Sequence, residues 1–142
     1  MTVHRVVFDT STLVSAALRS DSIPHQALLR ALRFCDLCAS EAILNELKAV
    51  LAREKFRRYL PDATRQKFLH RIENNVRLIV VREEDCFYLD PACRDPKDNK
   101  FLALAAESEA EVLVSSDEDL LVLDPWKEVR VVRTADFLNL VG

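Results

Sequence analysis

Short apolar runs alternate along this chain with stretches of helical periodicity, and that alternation constrains the fold more than any other feature. The runs HRVVF (residues 4–8), VRLIVV (76–81), EVLVSS (111–116) and EVRVV (128–132) read as strands. Strands this apolar are buried on both faces, which requires a parallel sheet covered by helices on each side. DLCAS (36–40) reads as a further short strand. Helical patterns occupy TSTLVSAALRS (10–20, opened by a hydroxyl residue), IPHQALLRALRF (23–34), SEAILNELKAVLARE (40–54, capped by Ser40), DNKFLALAAESEA (98–110) and TADFLNLV (134–141). KFRRYLPDATRQKFLHRIENN (55–75) is mostly helical around Pro61. No repeat or linker interrupts the pattern. The expectation is one α/β domain over residues 1–142, with a central, mostly parallel sheet flanked by helices on both sides.

The only glycine is Gly142. The chain therefore has neither a phosphate-cradling G-x-x-x-x-G-K loop nor a G-x-G-x-x-G dinucleotide turn, both of which need glycine for close backbone approach. It also lacks G-x-S-x-G and H-E-x-x-H. Chemistry must come from side chains. Hydrophobic residues at 49% and charged residues at 30% fit a soluble globular chain. No apolar run approaches the roughly 18 residues of a membrane span, and the amino terminus runs into a strand pattern without a signal peptide. A cytoplasmic protein without membrane contact is expected. Cys35, Cys38, Cys86 and Cys93 fit that setting as free thiols. The Cys35/Cys38 pair has no second C-x-x-C or H-x-x-x-H to complete a zinc site.

Charge is uneven. Residues 53–82 hold nine basic side chains against three acidic ones, a net of +6, so the rest of the chain carries −9 to reach the overall −3. Such a strip, including Arg53, Lys55, Arg57 and Arg58, suits a polyanion backbone, although a solvated helical face has the same pattern.

Four of the twenty-three acids are placed unlike surface charge. Asp9 follows VVF and Asp117 follows VLVSS, each just past the carboxyl end of a buried-looking strand, the edge where parallel sheets place ligand sites. Either could also cap a helix. In residues 40–54, at about 100° per residue, Ile43, Leu47 and Val50 define the apolar stripe; Glu46 lies about 60° from its centre and Glu41 about 160° away. Glu46 is thus held beside the core, whereas Glu41 faces solvent. Asp98 projects from the first turn of its helix on the side of Phe101, Leu102 and Ala105, where it too could serve as a cap. One arrangement explains all four: clustered carboxylates around a hard divalent cation such as Mg²⁺ or Mn²⁺.

Together these segments resemble the PIN-domain nucleases, particularly the VapC-like toxins of toxin–antitoxin systems. VVFDTSTLVSAAL is similar to that family's first strand and acid, LNELKAVL to its Glu-bearing helix, RDPKDNKFLALA to the helix of the third acid, and VLVSSDEDLL to the fourth motif. The resemblance implies metal ligation and catalysis by Asp9, Glu46, Asp98 and Asp117, with Asp119 as a fifth acid. It further implies metal-dependent endonucleolytic cleavage of RNA that leaves a 5′-phosphate and a 3′-hydroxyl, homodimers, and neutralisation by a small antitoxin. Two positions depart from the family pattern: Ser11 stands where Asn is common, and Ser115 where Thr is common. Both keep a polar group that can hydrogen-bond a ligand or water, with Thr10 beside Ser11 as a further support.

Two other readings share these residues. DTST echoes the D-x-D-x-T of aspartyl-phosphate phosphatases, but residue 11 is Ser, so the acid that would protonate the leaving group is missing. A module that keeps the fold and acidic pocket but only binds RNA or protein is the other. A metal-free histidine pair has little support, because His4, His25 and His70 lie in separate elements.

Overall fold

Val6, Val7 and Phe8 are all buried, because β1 (Arg5–Phe8) is the central strand of a five-stranded sheet. The computed structural model describes residues 2–142. β2 (Asp36–Ala39) and β3 (Arg77–Leu78) lie on one side of β1, and β4 (Val112–Val114) and β5 (Arg130–Val132) on the other, in the order β3-β2-β1-β4-β5. Every pairing is parallel, with Val6, Val7 and Phe8 opposite Val112, Leu113 and Val114. The chain builds outward from β1 to β2 and β3, then crosses back to place β4 on the opposite side of β1. Strand order therefore reverses between β1 and β4, which opens a crevice at their carboxyl ends.

Seven α-helices accompany the sheet among the described residues: α1 (Thr10–Leu18), α2 (Ile23–Phe34), α3 (Glu41–Leu51), α4 (Asp62–Asn75), α5 (Asn99–Ser108), α6 (Glu118–Leu121) and α7 (Thr134–Leu140). Successive strand residues point to opposite faces. Val6, Phe8, Leu37, Val112, Val114 and Val132 join one apolar cluster with α1, α2, α4 and α7. Val7, Cys38, Leu113 and Val131 join another with α5 and Trp126. Helix α3 serves both, through Ile43 on one side and Leu47 and Leu51 on the other. Phe137 of α7 meets Phe8 edge-to-face at 5.6 Å and is fully buried, so truncating it costs about 3–5 kcal/mol.

Several local expectations change. Of residues 76–81 only Arg77–Leu78 form a strand, opposite Cys38 and Ala39, with the Ile79 amide donating a last bond to the Ala39 carbonyl, because β2 ends there and the chain turns into α3 at Ser40; Leu78 and Val80 are exposed. Helix α1 opens at Thr10 as expected, with Asp9 as its cap, accepting from the Thr12 amide. The helix expected over 40–54 stops at Leu51 and gives way to a short 3-10 turn at Glu54–Phe56, while α4 begins directly after Pro61. Ser40 caps α3 as expected. With no internal glycine, the left-handed backbone positions fall to Asp21, Glu109 and Lys127, and Glu109 closes α5 in that conformation. All four cysteines are free, and burial pushes the Cys35 thiol up to about 11. No helix among the described residues is long and apolar enough to cross a membrane.

Candidate functional site

The β1–β4 pairing sets the position of the first acid. Past Phe8, the Asp9 amide continues the ladder by donating to the Val114 carbonyl at 3.1 Å. The side chain is 3% exposed and both its oxygens are engaged: Oδ1 accepts from the Thr12 amide at 2.9 Å and from Ser11 Oγ at 3.3 Å, and Oδ2 accepts from Ser115 Oγ. A buried carboxylate needs such donors to stay charged. Asp9 is therefore a helix cap and a cleft-facing acid at once.

Ser115 carries the constraint across the sheet. It is completely buried at the end of β4, its amide donates to the Val132 carbonyl, and its hydroxyl both donates to Asp9 and accepts from the Asp117 amide at 2.9 Å. One hydroxyl thus couples the acid after β1 to the acid after β4. Asp117 caps α6 by accepting from the Asp119 amide at 2.9 Å.

Asp98 behaves differently from a cap. It occupies the cap position of α5 but makes no capping hydrogen bond; the upstream Asp95 caps the preceding 3-10 turn instead. Its Oδ2 is buried without a hydrogen-bond partner. Burial, followed by the adjacent Asp117, Asp95 and Asp9 carboxylates, pushes the Asp98 carboxyl up to about 7. Opposite, Glu46 is half-buried on α3 and ion-paired with Lys100, while Glu41 is exposed, as the helical pattern anticipated.

Asp9, Glu46, Asp98 and Asp117 line one cleft of about 690 Å³, together with Thr10, Ser11, Arg53, Phe56, Lys97 and Phe101. Thr10 Oγ1 is buried and unpartnered. Asp119 and Ser115 are not among the lining residues. Of the basic strip only Arg53 reaches the cleft; Lys55, Arg57 and Arg58 are exposed beyond it. No histidine lines it. Sequence reasoning missed Lys97 and Lys100. Lys97 sits beside Asp98 in DPKDNK and was open to notice, whereas the Lys100–Glu46 pair spans 54 positions that no local spacing reveals.

The donors suit a hard divalent cation: all are carboxylate oxygens, and one buried oxygen of Asp98 lacks a partner. Among the described residues no three His, Cys, Asp or Glu side chains are gathered to grip an ion without side-chain movement. Repulsion between ionised carboxylates opposes closer approach until a positive charge enters.

The crowding of Asp98 makes stability depend on pH. Its ordinary value is 3.8 and its folded value about 7, so its favourable contribution is complete below about pH 4 and is lost as pH rises through 7. In EDTA, the melting temperature of Asp98→Asn is expected to gain on that of the wild type between pH 4 and pH 8. A difference that stays constant with pH would contradict the crowding.

Comparison with known proteins agrees with this architecture. The PIN domain model matches residues 5–119. An uncharacterized protein of Methanocaldococcus jannaschii is 29% identical over 127 residues, which is 84% of this chain and 74% of that one. Among solved structures, VapBC2 of Rickettsia felis, bound to a DNA fragment of its promoter, superposes with a TM-score of 0.63 at 15% identity, covering 89% of this chain and 96% of that one. PAE2754 of Pyrobaculum aerophilum gives 0.64 at 16% identity, covering 99% and 90%. VapC20 of Mycobacterium tuberculosis, a sarcin–ricin-loop-cleaving toxin, gives 0.57 at 16% identity, covering 88% and 98%. The structural likenesses are likenesses of fold, and the matched segment contains all five acids singled out from the sequence. This chain belongs to the PIN domain family.

Proposed function

We propose that this protein is a divalent-metal-dependent endoribonuclease acting in the cytoplasm as the toxin of a toxin–antitoxin pair. The observation that carries this reading is the convergence of Asp9, Asp98 and Asp117 on one cleft, with a buried Asp98 oxygen that lacks a partner. The fold shared with a sarcin–ricin-loop-cleaving toxin favours RNA as substrate, and the fold shared with a VapBC complex favours a small antitoxin as partner.

Asp9, Asp98 and Asp117 would hold Mg²⁺ or Mn²⁺. Bound there, the cation would supply charge neutralisation at the scissile phosphate and lower the pKa of an attacking water. Ser115 holds Asp9 and Asp117 in register, and Ser11 secures the other oxygen of Asp9. Glu46 has one oxygen engaged by Lys100 and the other to orient the water. Attack on phosphorus breaks the bond to the 3′ oxygen, which takes up a proton. The products are a 5′-phosphate and a 3′-hydroxyl. Arg53 and Lys97, on the same cleft, would bind flanking phosphates.

Labelled RNA incubated with the purified protein tests this directly. Cleavage is expected with Mg²⁺ or Mn²⁺, to stop in EDTA, and to fall by at least about 100-fold in Asp9→Asn and Asp98→Asn. Metal-independent cleavage would overturn the mechanism, and RNA binding without cleavage would favour a binding module. Hydrolysis of a small phosphomonoester through an aspartyl intermediate would favour a phosphatase.

The basic strip has its own test. If Arg53, Lys55, Arg57 and Arg58 meet phosphates, replacing all four with Gln weakens RNA binding and flattens its logarithmic salt dependence by about 0.7 per lost contact. An unchanged slope would assign the strip to solvent.

A further inference from the structure

Glu46 does not stand as a free carboxylate. Its Oε2 accepts from the Lys100 ammonium, and the two side chains are only 33% and 28% exposed, so the pair is shielded from water more than a surface pair. Lys100 is held further by the ring of Phe101, whose centroid is 5.3 Å from Nζ. It follows Asp98 by two residues at the start of α5, so the segment that delivers the third acid also delivers this cation. Lys100 lines a neighbouring cavity of about 420 Å³ with Ser40, Leu78 and Cys86, and not the acid cleft. It therefore reaches Glu46 from behind the cleft wall and leaves the cleft itself open.

Asp9 supplies a second constraint. A carboxylate offers about four acceptor positions, and three at Asp9 are taken by Thr12, Ser11 and Ser115. What remains can ligate one ion. With one position left Asp9 serves a single ion, so a second ion about 3.5–4 Å away would have to be held by Glu46 together with Asp98 or Asp117. Charge points the same way: with Glu46 paired to Lys100, the acids left to the cleft are Asp9, Asp98 and Asp117, and a second divalent ion would add positive charge beside Arg53 and Lys97.

We propose that Lys100 takes the place of a second cation at Glu46, so that the cleft binds one divalent cation and not two. This rests on the metal-dependent reading above and extends it to the number of ions.

Mn²⁺ binding to the full chain, followed through the paramagnetic resonance of free Mn²⁺, tests it without reference to activity. Wild type and Lys100→Arg are expected to take up one ion per chain. Lys100→Met and Lys100→Gln, which keep most of the stem but lose the charge, are expected to take up two, and adding Glu46→Gln to either returns the count to one. Two ions on wild type would overturn the proposal, as would a single ion on both uncharged variants when they melt cooperatively. Because the wild-type count alone is decisive, misfolding of both variants would not rescue it. No saturable Mn²⁺ on wild type, or binding indifferent to Asp98→Asn, would instead remove the metal-dependent reading itself.

Discussion

Three carboxylates, Asp9, Asp98 and Asp117, converge at the carboxyl edge of β1 and β4, and their mutual repulsion is the constraint around which the site is organised. The chain offsets it in two different ways. Asp9 is surrounded by donors from Thr12, Ser11 and Ser115, which fix its orientation. Asp98 receives no such help and is pushed toward neutrality by burial and by its neighbours. A site with one fully secured acid and one unsatisfied acid is arranged to gain from a positive charge and to bind it on defined atoms.

The fold makes this convergence possible. Placing β1 at the centre of a parallel sheet, with the chain leaving it first to one side and then to the other, separates the helices that follow β1 and β4 and opens the crevice between them. Helices α3 and α5 wall that crevice because each also belongs to the core: α3 packs through Ile43 and Leu47, α5 through Phe101 and Leu102. Rigid supports of this kind matter more here than in glycine-rich phosphate sites. With no glycine before residue 142, no backbone cradle is available, and recognition depends on side chains held by packing and hydrogen bonds.

The layered fold was legible in the sequence because burial on both faces of a strand leaves a continuous apolar run, and Val6 to Phe8 and Val112 to Val114 carry it. Glu46 was legible for a related reason: its angular offset from the Ile43–Leu47 stripe predicts a half-buried side chain, which is what α3 presents. What escaped depends on long-range contact. The Ser115 hydroxyl reaches Asp9 across 106 positions and Lys100 reaches Glu46 across 54. The apolar run at 76–81 suggested a full strand, yet its one neighbour, β2, ends at Ala39 and leaves only Arg77 and Leu78 in the ladder. Periodicity reports which face is buried; it does not report how many neighbours a strand will find.

The most direct test of the account is a crystal of the protein soaked in Mn²⁺ and measured at the manganese absorption edge. An anomalous peak in the cleft, within bonding distance of the carboxylates of Asp9, Asp98 and Asp117, is the predicted result. A cleft without a peak at saturating Mn²⁺, or a peak bound elsewhere on the chain, would contradict it.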